Sequence, residues 1–240
     1  AVFVVRGGIA RPVAEPAVSL PAGDMSDLKL WGWHDETVVA EDGAAVMRDP
    51  GGKNARIVSR PLTLAPYRQY HISVRVRTRE FKGTPEVKVL APRQAGGEAD
   101  SLVSSSLGVK ATQEWTTHHV VFNSLDHTMA SVYFGVWDGK SGEVSWDDAT
   151  IEEAGLVNLV RRERAPPSVE FDGAERGKLV EGTDFEPVAD AKMGRVPWPG
   201  GYDVYHEPPV IRLKGALPDG TRLRVSYEYV QPVMDGQVMI

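Results

Sequence analysis

Cysteine is absent from the 240 residues, which removes disulfides, thiolate nucleophiles and cysteine-based metal sites at once. Positive charge is scarce as well. The chain carries 27 Lys and Arg against 33 Asp and Glu, a formal charge of -6, and it has no basic patch of the kind a nucleic-acid surface needs. No apolar run approaches the roughly 18 residues that identify a membrane-spanning helix. The opening AVFVVRGGIARP has too short an apolar patch, and meets an arginine too early, to act as a secretory signal. There is no Gly-x-Ser-x-Gly elbow, phosphate-binding loop, His-Glu-x-x-His pair or dinucleotide fingerprint. Helical periodicity is nearly missing too: Leu156 to Arg164 alone has a mildly helical pattern, and Ala165-Pro166-Pro167 ends it.

What is present is an ordinary globular composition, 42% hydrophobic and 25% charged, in a chain long enough for two modest domains. The patterning is of period two. From Tyr70 to Thr78, Tyr70, Ile72, Val74 and Val76 face inward, while His71, Ser73, Arg75 and Arg77 face outward. Val87 and Val89 repeat the alternation before a Pro/Gly-rich loop over 92–98. Thr37–Ala40 and Ala44–Arg48 flank Glu41-Asp42-Gly43, whose Asp-Gly pair predicts a tight hairpin turn. Val2 to Val5 predicts a short edge strand. Gln113 to Glu153 reads as three strands, and the middle one sets Val132, Phe134 and Val136 on a core face with Tyr133 and Trp137 on the opposite face. Those two rings are four residues apart, about 13 Å along a strand, a spacing that suits stacking platforms for a chain-like ligand.

The order of these signals resembles carbohydrate-binding modules of the family 4/9 type. The resemblance is carried by Gly43-Ala44-Ala45-Val46, Ile57-Val58-Ser59, Pro66 to Val74, Trp115 to Phe122, the Asp138–Gly142 turn and the closing Trp146-Asp147-Asp148 with Ile151, and it covers residues 20 to 154. It implies an all-β jelly-roll β-sandwich of galactose-binding-like fold over residues 1–154. A second, small β-rich domain is expected over 155–240, with strands at Ser168–Phe171, Asp184–Val188, Val210–Leu213 and Leu223 to Tyr229. That second part looks like an accessory domain leading to a catalytic domain beyond residue 240, which would make this chain the amino-terminal piece of a secreted or cell-surface bacterial glycoside hydrolase. The terminal run Gln237-Val238-Met239-Ile240 would then enter the next domain.

Aromatic rings bind sugars because the apolar C–H face of a pyranose stacks on a flat ring while neighbouring polar groups bond the hydroxyls. The expected carbohydrate-binding residues are therefore Trp137 and Tyr133, with Trp31 as a third ring brought by a loop, and with Arg75 and His71 as polar neighbours on an adjacent strand. Trp33, Trp115 and Trp146 fall at core positions of the family. The resemblance also implies a structural Ca2+ held by Asp147 or Asp148 with a carboxylate from the amino-terminal loop, Asp24 or Asp27, since calcium takes hard oxygen ligands. The chain departs from the family here: Leu20 to Met25 stands where an Asn-x-x-Phe-Glu start belongs. The partner expected is a polysaccharide or oligosaccharide, with neither nucleic acid nor membrane. Two rival readings stand beside this one. One is a structural spacer packed on a catalytic domain. The other is a hydrolase or lyase in its own right, whose best local cluster is Asp203, Tyr205, His206 and Glu207.

Overall fold

The structure, a computed structural model, describes residues 1–21, 24–49, 51–93, 99–137, 139, 141–162, 166–173, 177–193 and 205–230. Positions 94–98 of the rim loop, Asp138 and Lys140 of the turn, Ala165, 194–204 with Asp203, and 237–240 lie outside the described residues. The strands begin with β1 (Val2–Arg6), β2 (Ile9–Val13), β3 (Trp33–His34), β4 (Val38–Glu41), β5 (Ala44–Arg48), β6 (Ala55–Val58) and β7 (Leu62–Thr63). The long ones follow: β8 (Gln69–Lys82), β9 (Pro85–Ala91), β10 (Asp100–Ser106), β11 (Gln113–Asn123), β12 (Met129–Val136) and β13 (Ser141–Glu153). Then come β14 (Leu159–Val160), β15 (Ser168–Phe171), β16 (Lys178–Leu179), β17 (Ile211–Arg212), β18 (Arg222–Ser226) and β19 (Glu228–Tyr229). The protein is all-β, and no helix among the described residues is long and apolar enough to cross a membrane.

Two antiparallel sheets make a sandwich. The front sheet runs β10-β9-β12-β6-β3, with β7 also on β12, and the back sheet runs β11-β8-β13-β5-β4. The three strands expected over Gln113 to Glu153 are all present, but the middle one lies in the front sheet and its two neighbours in the back. The chain therefore crosses the core twice. Alternation dictates the packing: Ile72, Val74 and Val76 of β8 and Val132, Phe134 and Val136 of β12 are buried in one shared core. At the β4–β5 turn Asp42 (φ 49°) and Gly43 (φ 78°) both adopt the left-handed region, as a two-residue type I′ hairpin requires.

A second sheet system closes behind the first. Its order is β16-β15-β18-β1-β2-β17, and Phe3, Val5, Leu223, Val225 and Phe185 fill its own core. Residues 2–13, read from the sequence as part of the sandwich, instead pair with the carboxy-terminal half. Phe3 lies opposite Leu223, and Ala10 opposite Ile211. β1 is thus an interior strand and not an edge, because its two buried side chains complete a core that 155–230 cannot fill alone. The helical pattern after Leu156 does not form a helix: 155–158 is a turn with Gly155 at φ 63° and Asn158 at φ 57°, conformations that end any right-handed helix. Phe185 makes isolated bridges to Glu181 and Leu213 in place of the strand expected over Asp184–Val188. The last strand breaks at Tyr227, whose hydroxyl donates to the Gly155 carbonyl at 2.8 Å.

The seam between the units is polar. Gln69 Nε2 donates to Val157 O at 2.7 Å, Asn123 Nδ2 meets the Tyr229 hydroxyl, and that hydroxyl donates to Tyr67 O at 2.9 Å. Glu153, at the end of β13 and 3.7 Å from Arg68 Nε, is buried, and burial pushes its carboxyl up to about 7 against the pull of Arg68. A raised carboxyl keeps a proton that the unfolded chain releases, so this group's stabilisation is complete below about pH 4.5 and is lost as pH rises through 7. Glu153→Gln is therefore expected to raise the thermal midpoint at pH 8 and to give no gain at pH 5. A difference that is the same at both pH values would overturn this account.

Candidate functional site

The outward face of the front sheet carries the aromatic side chains. On β12, Phe134 points inward and so turns Tyr133 outward, and Trp137 follows in the same phase just past the strand. Across the sheet, β6 pairs Val58 with Tyr133 and Arg56 with Gly135, and β3 adds Trp33 opposite Val58. Trp33 is 42% exposed and meets Tyr133 edge-on at 6.4 Å. Gly135 sits between the two β12 rings, where a Cβ would lie 2.8 Å from Arg56 Cγ and 2.6 Å from Ala55 O. Arg56 thus lays its stem across the gap that glycine leaves.

The polar groups of this face are paired with one another. Arg56 donates to Asp35 at 2.8 and 3.1 Å, and its guanidinium stands 5.0 Å from the centre of the Trp33 ring. Lys88 Nζ lies 3.9 Å from the centre of the Trp137 ring and 3.2 Å from Glu86, whose other contact is Ser104 at 3.2 Å. The result is an L of three rings, Trp33 beside Tyr133 across the strands and Trp137 further along β12, with a cation against each tryptophan and a carboxylate behind each cation. Such a face offers flat apolar surfaces flanked by donors and acceptors, the combination that pyranose rings call for.

The expected third ring proves to be the wrong tryptophan. Trp31 is 3% exposed and packs edge-on against Phe134 at 5.8 Å, while Trp33, read as core, is the exposed one. The cause is local: Leu28–Leu30 forms a 3-10 turn capped by Asp27, which resets the phase of the chain. Gly32 then passes so close to Ser59 that a Cβ would lie 2.7 Å from its carbonyl oxygen. Trp146 is core, as expected. Trp115 is half-buried on the back sheet beneath Arg75 and Arg77, 5.1 and 4.9 Å from the ring centre.

His71 and Arg75 do not neighbour Tyr133 and Trp137. They stand on the outward face of the back sheet, on the other side of the sandwich, because β8 and β12 belong to different sheets. Arg75 donates to Asp148 at 2.5 Å. His71 is 6% exposed, covered by Tyr205 of the second unit at 3.7 Å. Asp148 occupies a bulge at φ 50° opposite Arg75, Asp147 lies beside it, and Asp24 accepts the Ser26 amide at 2.8 Å in its own turn. Among the described residues no three His, Asp or Glu side chains gather as a metal set, so Asp24, Asp147 and Asp148 are not brought together as one. Of the alternative catalytic cluster, His206 is tied to Asp190 at 2.7 Å and Glu207 approaches Arg11 at 3.9 Å. Each serves a structural contact. A cleft of about 950 Å³ lies at the far end of the back sheet between Arg77, Arg79, Gln113 and Glu143.

Compared with known families and with curated proteins, the chain matches none. Among solved structures it is similar to a family 4 carbohydrate-binding module (18% identity, TM-score 0.41, covering 56% of this chain and 84% of that one). A family 16 carbohydrate-binding module gives 17% identity and a TM-score of 0.36, covering 50% of this chain and 86% of that one. The enzymatically active domain of a tailspike protein from bacteriophage CBA120 gives 15% identity and a TM-score of 0.41 over 63% of this chain and 21% of that one.

The exchange of roles between the two tryptophans is open to measurement. Trp31→Ala empties a core position and is expected to cost about 3–5 kcal/mol of stability, whereas Trp33→Ala should cost about 1 kcal/mol or less. Denaturant midpoints of the two variants would decide, and equal losses would contradict the placement of Trp33 on the surface.

Proposed function

We propose that the sandwich is a non-catalytic carbohydrate-binding module whose ligand lies on the front sheet across Trp33, Tyr133 and Trp137. The observation that carries this reading is the grouping of three outward rings on one continuous sheet face, two side by side across the strands and one further along β12, held by inward partners that cannot move without breaking the core. The ligand class follows from the charge pattern. Arg56 is matched by Asp35 and Lys88 by Glu86, so the face offers hydrogen bonds without net charge and suits neutral polysaccharide or oligosaccharide chains. Attached to a glycoside hydrolase, such a module would act by proximity, raising the effective concentration of the active site at a polymeric substrate.

A screen of neutral polysaccharides by affinity electrophoresis, followed by calorimetry with oligosaccharides of the best binder, tests this. Trp33→Ala and Trp137→Ala should each weaken binding by about tenfold or more, as the loss of one stacking contact implies, while the far-ultraviolet spectrum stays that of the folded protein. Retention that survives the double substitution would place the ligand elsewhere. If both single variants unfold, the rings are structural and the sandwich is a spacer.

A further inference from the structure

Where the second unit crosses the end of the back sheet, four side chains from four segments form one stack. His71 comes from β8, His119 from β11, Glu152 from β13, and Tyr205 from the segment that leads to β17. The Tyr205 ring lies on His71 with centres 3.7 Å apart and planes within 3°, and it also overlaps His119 at 5.1 Å. His71 Nδ1 is 3.1 Å from Glu152 Oε1, and His71 Nε2 is 2.9 Å from His119 Nδ1. A carboxylate only accepts, so His71 carries its proton on Nδ1. Its Nε2 is then the acceptor, and His119 Nδ1 must be the donor. These tautomers follow from the network.

That network tolerates an added proton at one nitrogen and not at another. One placed on His119 Nε2, on the far side of that ring, leaves the bond to His71 intact. One placed on His71 Nε2 sets a donor against a donor at 2.9 Å under a covering tyrosine. We propose that this stack is a pH-sensitive strap: the Tyr205 ring covers His71 at neutral pH and swings off it when His71 takes a proton, while the neighbouring His206 stays tied to Asp190 at 2.7 Å.

The other charged groups that face His71 are Glu152, which favours the proton, and Glu207 on the strap, which does the same but is shared with Arg11 at 3.9 Å. Burial under Tyr205 works against both and is the largest effect, holding the His71 ring below its ordinary value. The sign follows: a lowered histidine contributes stability that is complete above about pH 6.5 and is lost as pH falls below it. Lifting would widen the cleft of about 410 Å³ between Val13, Glu152, Tyr205 and Pro208, and would uncover His71.

The test is a pH titration of the whole chain by nuclear magnetic resonance with labelled histidine and tyrosine rings. The expected result is that cross-peaks between the Tyr205 and His71 rings, present at pH 7.5, are lost below pH 6.5 in step with the titration of the His71 ring itself. Tyr205→Ala should raise the His71 midpoint, and in His119→Asn, whose side-chain oxygen can accept from a protonated His71, the cross-peaks should survive that titration. A repeat in Glu153→Gln separates the strap from the carboxyl that titrates near 7. Cross-peaks that persist in the unsubstituted protein after the His71 ring has taken its proton, or that vanish equally in His119→Asn, overturn the proposal, as does a response that disappears in Glu153→Gln.

Discussion

Phe134 stands edge-on between Trp31 and Trp146, 5.8 Å from each ring centre, and the rest of the sandwich depends on that wedge. Trp146 belongs to the back sheet and Phe134 to the front, so the contact spans the roughly 10 Å that separates packed sheets. It fixes the phase of β12. With Phe134 inward, Tyr133 and Trp137 have no freedom to point anywhere but outward, and a slip of one residue would bury a serine and a glycine in place of three large apolar side chains. The outer face is therefore set by the core behind it. Trp31 completes the wedge and, by going inward, delivers Trp33 to the surface two residues later.

Period two told which face of a strand each residue occupies, and the structure agrees for β8 and β12. It could not tell which sheet a strand joins. His71 and Tyr133 both read as outward-facing, yet the outward directions of the two sheets are opposed, so they point away from each other. The Trp31 and Trp33 exchange has another origin. The resemblance put Trp33 in the core and Trp31 in a loop, but the chain bends at 31–32, where Gly32 is held close to Ser59, so two residues that an extended chain would set on one face point opposite ways. A glycine between two tryptophans was the available signal, since only the smallest residue admits so close a backbone approach.

The amino-terminal hairpin was hidden for a different reason. Its alternation is plain in Val2 to Val5, but its partners, β18 and β17, lie about two hundred residues away in sequence, and nothing local specifies a pairing that distant. What selects it is burial: Phe3 and Val5, with Ala1 and Ala10, supply apolar volume to a core whose other buried members all follow Ala154. By crossing over, β1 and β2 join β15 to β18 in one sheet, and the sandwich is inserted in the chain between β2 and β15 of its neighbour.

That arrangement decides which surface remains open. The cross-unit contacts at Tyr67, Gln69, His71, His119, Asn123 and Glu153 all fall on the back sheet or at its end, and they are mostly directional hydrogen bonds and ring stacks. Directional bonds hold one orientation where apolar packing alone would allow several. The second unit is thereby fixed behind the sandwich, and the group of Trp33, Tyr133 and Trp137 on the front faces away from it. The same crossing that buries Phe3 thus leaves that face uncovered by the described residues of the second unit.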